Sequence, residues 1–201
     1  MATAVICEFN PFHNGHKYLL ESAKNVLKEP VIAIMSGSFT QRGEVAVCDK
    51  FVRAKSALEN GADLVLELPV VFSLSGAEGF AKAGVAIASA FDCTNHLAFG
   101  SESGDCELLK KSANAVCDER VQALVRDGMK NGGYYPRELE NAVKMVFGDE
   151  ISSVLCEPNN ILGVEYIKAL NGTGVEPFSV ARTGAAHDSR IAGEGFASAS
   201  H

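Results

Sequence analysis

Five short apolar segments, separated by longer stretches of helical pattern, constrain the fold of this chain most strongly. They are rich in β-branched residues and almost continuously apolar, as strands covered on both faces are. The segments are Thr3–Cys7, Val31–Met35, Asp63–Leu68, His96–Phe99 and Phe178–Ala181. The pattern between and around them predicts helices at Gly15–Leu27, Asp49–Asn60, Gly76–Ala90, Asp105–Asp127, Pro136–Phe147 and Asn159–Leu170. This alternation predicts an α/β fold with a Rossmann-like, doubly wound parallel sheet of about five strands.

Polar, glycine-containing segments follow the first, second and fourth predicted strands. They are Glu8–His16, Ser36–Glu44 and Gly100–Asp105. In open parallel sheets, ligands bind beyond the carboxyl ends of the strands. We therefore expect these three segments to form the binding site.

The first of these segments has the composition of a phosphate site. It reads Asn10-Pro11-Phe12-His13-Asn14-Gly15-His16 and stands where the first helix should begin. A helix N-terminus offers unpaired N–H groups and a positive dipole end to an anion. His13 and His16 are three residues apart, so both imidazoles should face one side of the first turn. A pair of surface histidines without a ligand is the alternative interpretation.

Composition favours a cytoplasmic protein. The chain has 201 residues, a net charge of −7 and six cysteines. No apolar run approaches the ~20 residues that span a bilayer, and the N-terminus lacks the basic region of a signal peptide. No two cysteines form a CxxC pair, so we expect reduced, mostly buried thiols and no dedicated metal site. An acidic body also disfavours extensive contact with nucleic-acid phosphates, unless a local basic patch makes it.

The segment Asn10–His16, called the histidine segment below, resembles the signature of the HIGH superfamily of nucleotidyltransferases, which share a Rossmann-like fold. Other segments are similar to one branch of it, the bacterial tRNA(Met) cytidine acetate ligase family. These segments are Met35-Ser36-Gly37-Ser38-Phe39-Thr40-Gln41-Arg42-Gly43-Glu44, Gly61-Ala62-Asp63-Leu64-Val65-Leu66-Glu67-Leu68-Pro69, Phe99-Gly100-Ser101-Glu102 and Pro158-Asn159-Asn160-Ile161-Leu162-Gly163.

The resemblance implies an ATP-dependent ligase that works in two steps. Acetate attacks the α-phosphate of ATP and gives acetyl-adenylate and pyrophosphate. The wobble cytidine of elongator tRNA(Met) then takes the acetyl group, and AMP is released. ATP, acetate and this tRNA are the implied partners, and Mg²⁺ is expected because it usually accompanies ATP phosphates.

The resemblance also assigns residues to the site. It implies His13, His16 and Arg182 as catalytic groups and Ser36, Gly37, Gln41 and Arg42 as a substrate loop. The implied ATP-binding residues are Ile6, Cys7, Glu8, Phe9, Asn10, Pro11, Phe12, His13, Asn14, Gly15, His16, Lys17, Tyr18, Leu19, Gly100, Asn159, Asn160, Arg182, Ser198 and Ser200.

Some of these positions have a second interpretation. Asn159 and Asn160 begin a predicted helix, so they could cap it instead of contacting a ligand. A basic cluster near the second loop contains Gln41, Arg42, Lys50, Arg53 and Lys55. We expect Arg42 to meet phosphate or tRNA, and Arg53 and Lys55 to lie on a solvated helix face.

The last residues concern domain organisation. Phe196-Ala197-Ser198-Ala199-Ser200-His201 looks like the start of a second superfamily motif, whose Arg would follow after the last residue. The family also continues into a C-terminal domain thought to hold tRNA. We therefore expect residues 1–201 to be the nucleotidyltransferase-like, ATP-binding catalytic domain of a longer protein, without the tRNA-binding domain.

Two other functions remain open from the sequence. One is an adenylyltransferase acting on a phosphorylated cofactor precursor, and the other is a non-catalytic module that binds nucleotide or RNA. The sequence contains no GxxxxGK[ST], which excludes a P-loop. His187-Asp188 has no nucleophile in a recognisable context, which argues against a hydrolase triad.

Overall fold

A five-stranded, all-parallel sheet forms the centre of the protein. The computed structural model describes residues 1–182. The strand order is β3-β2-β1-β4-β5, with β1 Ala2–Cys7, β2 Val31–Ser36, β3 Leu64–Leu68, β4 Thr94–Ser101 and β5 Glu176–Ala181. Every predicted strand is present, which confirms the predicted α/β fold.

Helices cover both faces of the sheet. They are α1 Asn14–Leu27, α2 Lys50–Glu59, α3 Val70–Ser73, α4 Ala77–Ser89, α5 Cys106–Cys117, α6 Glu119–Lys130, α7 Tyr135–Phe147, α8 Asp149–Ser153 and α9 Pro158–Leu170, with a 3₁₀ turn at Val154–Cys156. In the part of the chain that the structure describes, none of them is long and apolar enough to cross a membrane.

Two apolar cores lie on opposite faces of the sheet, as β1 shows. Val5 is fully buried in one core with Leu20 of α1. Ile6 is buried in the other core with Phe80 of α4. Successive strand residues point to opposite faces, so a central strand that is covered on both sides must be apolar throughout. The edge strand β3 is less covered, and its Leu64 is 41% exposed.

The carboxyl end of β1 lies at the point where the order of strands in the sheet reverses its direction. From β1 the sheet continues through β2 and β3 on one side and through β4 and β5 on the other. Neighbouring parallel strands with diverging connections leave a crevice beyond their carboxyl ends. The loops after β1 and β4 meet at this crevice.

The predicted single helix Asp105–Asp127 is wrong, because the structure contains two helices there. Asp118 separates them with extended backbone at φ −63° and ψ 133°. Its carboxylate accepts a hydrogen bond from the backbone N–H of Arg120 at 2.8 Å and begins α6. The Arg120 guanidinium, which also bonds this carboxylate, lowers the pKa of Asp118 to about 2. Helical periodicity continues on both sides of the break, so the pattern did not reveal it.

The expectation of mostly buried thiols is also wrong. All six cysteines lie within residues 1–182, and none forms a disulfide there. Cys7 is buried in β1, but Cys93 before β4, Cys117 at the end of α5 and Cys156 at the end of the 3₁₀ turn are exposed.

Candidate active site

Two hydrogen bonds from backbone N–H groups to histidine side chains begin α1. His13 is the N-cap, and its Nδ1 accepts from the backbone N–H of Gly15 at 3.1 Å. Nδ1 of His16 accepts in return from the backbone N–H of His13 at 3.3 Å. A Cβ atom on Gly15 would lie 2.9 Å from Cε1 of His13. Gly15 therefore lets the His13 ring fold back over the helix end.

The two imidazole rings stack on each other. Their centroids are 3.7 Å apart with an interplanar angle of 26°, so both side chains lie on one side of the first turn as expected. A backbone N–H can only donate, so both Nδ1 atoms are acceptors and each neutral ring carries its hydrogen on Nε2. The start of α1 thus carries two Nε2–H donors at the positive end of the helix dipole, while the backbone N–H groups of Gly15 and His16 already bond to His13.

His16 is held in its neutral form. Burial lowers the pKa of His16 well below 6.5, and electrostatic interaction with His13 and with Arg182 lowers it further. The ring of Phe9 packs against it with centroids 4.9 Å apart. Phe12 lies on the same cluster at 5.7 Å. His16 can therefore donate a hydrogen bond near pH 7 without carrying charge.

Arg182 joins this cluster from the end of β5. Its backbone N–H donates to the carbonyl of Ser101 at 2.9 Å. Its Cγ lies 3.4 Å from the place that a Cβ on Gly100 would occupy. Gly100 belongs to β4, on the face that α1 covers, because Ala98 two residues earlier packs in the core with α1. Arg182 is therefore near enough to lower the pKa of His16 electrostatically, and Gly100 lies on the sheet face that α1 covers.

Glu102 caps α9, and sequence reasoning assigned it no role. Its Oε2 accepts from the backbone N–H of Asn160 at 2.9 Å, and its Oε1 accepts from Nδ2 of Asn159 at 2.6 Å. Nε of Arg182 lies 4.0 Å from the same carboxylate. A carboxylate satisfies helix N-terminal N–H groups well. One sequence feature could have identified Glu102. It is an acidic residue that follows the fourth predicted strand, within a segment already expected to form the binding site.

The capping role considered for the two asparagines is wrong. Neither side chain caps α9, whose N-cap is Glu157 with no side-chain cap bond. Oδ1 of Asn160 instead accepts from the backbone N–H of Ser103 at 3.1 Å. Oδ1 of Asn159 accepts from Nη1 of Arg182 at 3.4 Å. The Asn159–Asn160 turn thus orients the loop after β4 and the Arg182 side chain.

The second loop lies directly against the first. The backbone N–H of Gln41 donates to Oε1 of Glu8 at 2.5 Å. The backbone N–H of Val47 donates to Oδ1 of Asn10 at 2.8 Å. Within residues 1–182, three buried polar atoms of this loop have no hydrogen-bond partner: Ser36 Oγ, Thr40 Oγ1 and Gln41 Nε2. The predicted substrate loop therefore adjoins the histidine segment and carries unsatisfied polar groups.

The expectation that Arg53 lies on a solvated face is wrong. The residue is 1% exposed, and its guanidinium donates to backbone carbonyls of both loops. Lys55 matches the expectation, because its side chain is 75% exposed and pairs with Glu59 at 3.8 Å. Arg42 is exposed in the second loop.

The other predicted residues are less directly placed for a ligand. The side chains of Ile6 and Cys7 are buried in the two cores, so only their backbone approaches the crevice. Burial raises the pKa of the Cys7 thiol well above its ordinary value. Lys17 pairs with Glu21 along α1 at 3.8 Å. Ser198 and Ser200 lie outside the described residues. Within residues 1–182, no group of three or more His, Cys, Asp or Glu side chains could hold a metal ion.

Comparison with known proteins decides the family. A family model described as HIGH Nucleotidyl Transferase matches residues 1–201. The chain belongs to this family. One relative of this chain is the tRNA(Met) cytidine acetate ligase of Caldanaerobacter subterraneus subsp. tengcongensis, 43% identical over 98% of this chain and 51% of the relative. The enzyme of the same name from Caldicellulosiruptor saccharolyticus is 40% identical over 96% of this chain and 49% of its own length.

Two solved structures resemble this chain over nearly the whole length of its 201 residues. Apo TmcAL of Thermotoga maritima matches with a TM-score of 0.92 and 38% identity, covering all of this chain and 50% of that chain. TmcAL of Thermotoga maritima bound with alpha-thio ATP matches with a TM-score of 0.86 and 39% identity, covering 92% and 47%. The chain therefore spans about half the length of the proteins that it matches.

Proposed function

We propose that this domain binds ATP and joins acetate to AMP as acetyl-adenylate, within a ligase that acetylates the wobble cytidine of elongator tRNA(Met). The observation that carries the proposal is the stacked His13–His16 pair at the start of α1, with Arg182 beside it. The names of the relatives supply the acetate and tRNA chemistry. A related structure that holds an ATP analogue supports the nucleotide.

The site suits a nucleotide triphosphate. The phosphates would lie at the N-terminus of α1, where the Nε2–H groups of His13 and His16 are donors and the positive end of the helix dipole favours an anion. Gly100 has no side chain and allows the adenosine to approach β4 closely. Mg²⁺ would be bound mainly by the ATP phosphates, because residues 1–182 contain no cluster of three or more candidate ligands.

The chemistry needs charge stabilisation more than covalent help. A carboxylate oxygen of acetate would form a bond to the α-phosphorus while the bond to the bridging oxygen of pyrophosphate breaks. Negative charge grows on the oxygens of the leaving pyrophosphate. His13, His16 and Arg182 would donate to those oxygens, and one donor of this kind is worth ~10²–10³ in rate.

The second step would use the acetyl-adenylate on tRNA. The exocyclic amine of the cytidine would form a bond to the acetyl carbonyl carbon, AMP would leave with the electron pair, and the amine would lose a proton. The domain has a net charge of −7. Since tRNA affinity comes largely from phosphate contacts, we expect the longer protein to supply most of the tRNA-binding surface.

Exchange of labelled pyrophosphate into ATP tests the first step without tRNA. We expect exchange that depends on acetate and that falls strongly in His13→Ala. Lys55→Met is the matched control, because that side chain is 75% exposed and its ion pair is with Glu59 on the same helix. Exchange stimulated by phosphorylated cofactor precursors and not by acetate would support the adenylyltransferase alternative. ATP binding without exchange under either condition would support a non-catalytic module.

A further inference from the structure

Arg53 is a buried cation whose hydrogen bonds go to backbone carbonyls. The residue lies on α2 and is 1% exposed. Nη1 donates to the carbonyl of Glu8 at 2.6 Å and to that of Ser36 at 3.2 Å. Nη2 donates to the carbonyl of Gly37, and Nε donates to that of Cys48 at 3.2 Å. One guanidinium therefore joins the end of β1, the end of β2 and the segment that precedes α2.

Removing a guanidinium from water is costly unless its donors are satisfied. Ordinary packing of α2 would use an apolar residue here, as it does one turn later at Ala57, which is fully buried. A planar fork with donors on two edges can bond several carbonyls at fixed angles, which neither an apolar side chain nor an ammonium can do. An arginine at position 53 can therefore hold the two loops in a fixed arrangement, which is a role that an apolar residue could not fill.

The linked segments are the two that carry the proposed reactants. Glu8 leads into the histidine segment, where the phosphates of ATP would bind. Ser36 and Gly37 begin the second loop, where Ser36 Oγ and Gln41 Nε2 are buried and have no hydrogen-bond partner within residues 1–182. Two further bonds cross between these loops, from Gln41 N–H to Glu8 Oε1 and from Val47 N–H to Asn10 Oδ1. Arg53 is the buried member of this connection.

We propose that Arg53 is a positioning residue. It fixes the start of the second loop, residues 36–41, against residues 8–16, where the phosphates of ATP would bind. In-line attack requires the carboxylate oxygen to approach the phosphorus to roughly 3–3.5 Å, and a 1 Å displacement costs ~10² in rate. The reaction served by this geometry rests on the proposed function, whereas the contacts of Arg53 do not. Arg53 touches no reactant and acts through the carbonyls that it holds.

The test compares pyrophosphate exchange and ATP binding in the same variants. Arg53→Met should lower acetate-dependent exchange by about 100-fold per folded molecule and raise the KM for acetate. Its dissociation constant for ATP should stay within threefold of wild type, because His13 and His16 cap α1 independently of Arg53. If Arg53 served only stability, Arg53→Met would lower the folded fraction. Its folded molecules would then exchange pyrophosphate at the wild-type rate and bind ATP with wild-type affinity.

Arg53→Lys separates geometry from charge. It keeps a buried positive charge but loses the fork, so exchange should remain at least tenfold below wild type. Lys55→Met, two residues along the same helix, should match wild type. Full exchange activity in folded Arg53→Met or in Arg53→Lys would overturn the proposal.

The wild-type protein gives a measurement that does not depend on a variant folding or on acetate. In ¹⁵N-resolved spectra, a guanidinium bonded on both edges should show separate, slowly exchanging Nη proton signals, with and without ATP. A single averaged Nη signal would overturn the proposal. Separate signals together with an absence of acetate-dependent exchange would count against the proposed function and leave Arg53 as a link between the loops.

Discussion

His16 has two separable tasks, and His16→Asn should remove one of them. Oδ1 of asparagine is attached to Cγ as Nδ1 of histidine is, so it can still accept from the backbone N–H of His13, which lies 3.3 Å from Nδ1. The Nε2–H donor disappears. A hydrogen bond to a charged phosphate is worth about 1.5–3 kcal/mol. The dissociation constant for ATP should therefore rise roughly 10- to 150-fold.

The fold should tolerate this change better than the site does. The substitution loses the stacked contact with His13 at 3.7 Å and the ring contacts with Phe9 at 4.9 Å and Phe12 at 5.7 Å. Each aromatic pair contributes about 0.5–1.5 kcal/mol, so the free energy of unfolding should fall by about 1.5–4.5 kcal/mol. Urea unfolding measures this loss, and the protein should remain folded at 25 °C.

Calorimetric titration with ATP at constant ionic strength gives the decisive number. Asn25→Ala is the matched control, because Asn25 lies on the exposed face of the same helix. It should bind ATP as wild type does. If folded His16→Asn binds ATP within twofold of wild type, the proposed contact between Nε2–H and phosphate is refuted.

Three further predictions concern pH, backbone conformation and the cap of α9. The pKa of His16 is lowered in the folded protein, so below about pH 6.5 the unfolded chain takes up a proton at this residue while folded His16 stays neutral, and the protein loses stability on acidification. In urea unfolding, the free energy of unfolding should therefore decline less from pH 7.5 to 5.5 in His16→Asn than in wild type. Equal declines would contradict this. Gly104→Ala should lower the free energy of unfolding by about 2–4 kcal/mol, because Gly104 has φ +63° and its Cβ would lie 2.6 Å from Cβ of Ala181. A loss below about 0.5 kcal/mol would contradict this, because the positive φ alone should cost about 1–2 kcal/mol even if β5 moved aside. Glu102→Ala should cost about 1–2 kcal/mol and raise amide hydrogen exchange at Asn160, since the first turn of α9 loses its cap; unchanged exchange there would mean that Glu157 or water replaces it.

The sequence predicted the sheet and the placement of both histidines on one side of the start of α1, because both are encoded locally. The strands are continuous apolar runs, and the start of α1 is marked by residues within one turn of each other. The break at Asp118 was missed for the complementary reason. Its only local sign is a capping acid followed by Glu119, which resembles ordinary charge on a helix surface.

Arg53 and Glu102 were misjudged because their roles depend on contacts distant in the chain. Buried arginines are rare, so residue type favoured an exposed position for Arg53. Its spacing of four residues from the buried Ala57 was the one local hint. Glu102 caps a helix that begins 56 residues later at Pro158, which only the strand order could have indicated.

The two histidine caps also determine which kind of ion the start of α1 disfavours. Both Nδ1 lone pairs accept from backbone N–H groups, and both Nε2 atoms carry hydrogen. Neither ring therefore presents an in-plane lone pair to a cation, although imidazole is a common ligand of transition metals. A metal ion could coordinate these rings only after one of the two caps had opened. The helix start thus discriminates against cations through the direction of its lone pairs, without any need for net positive charge.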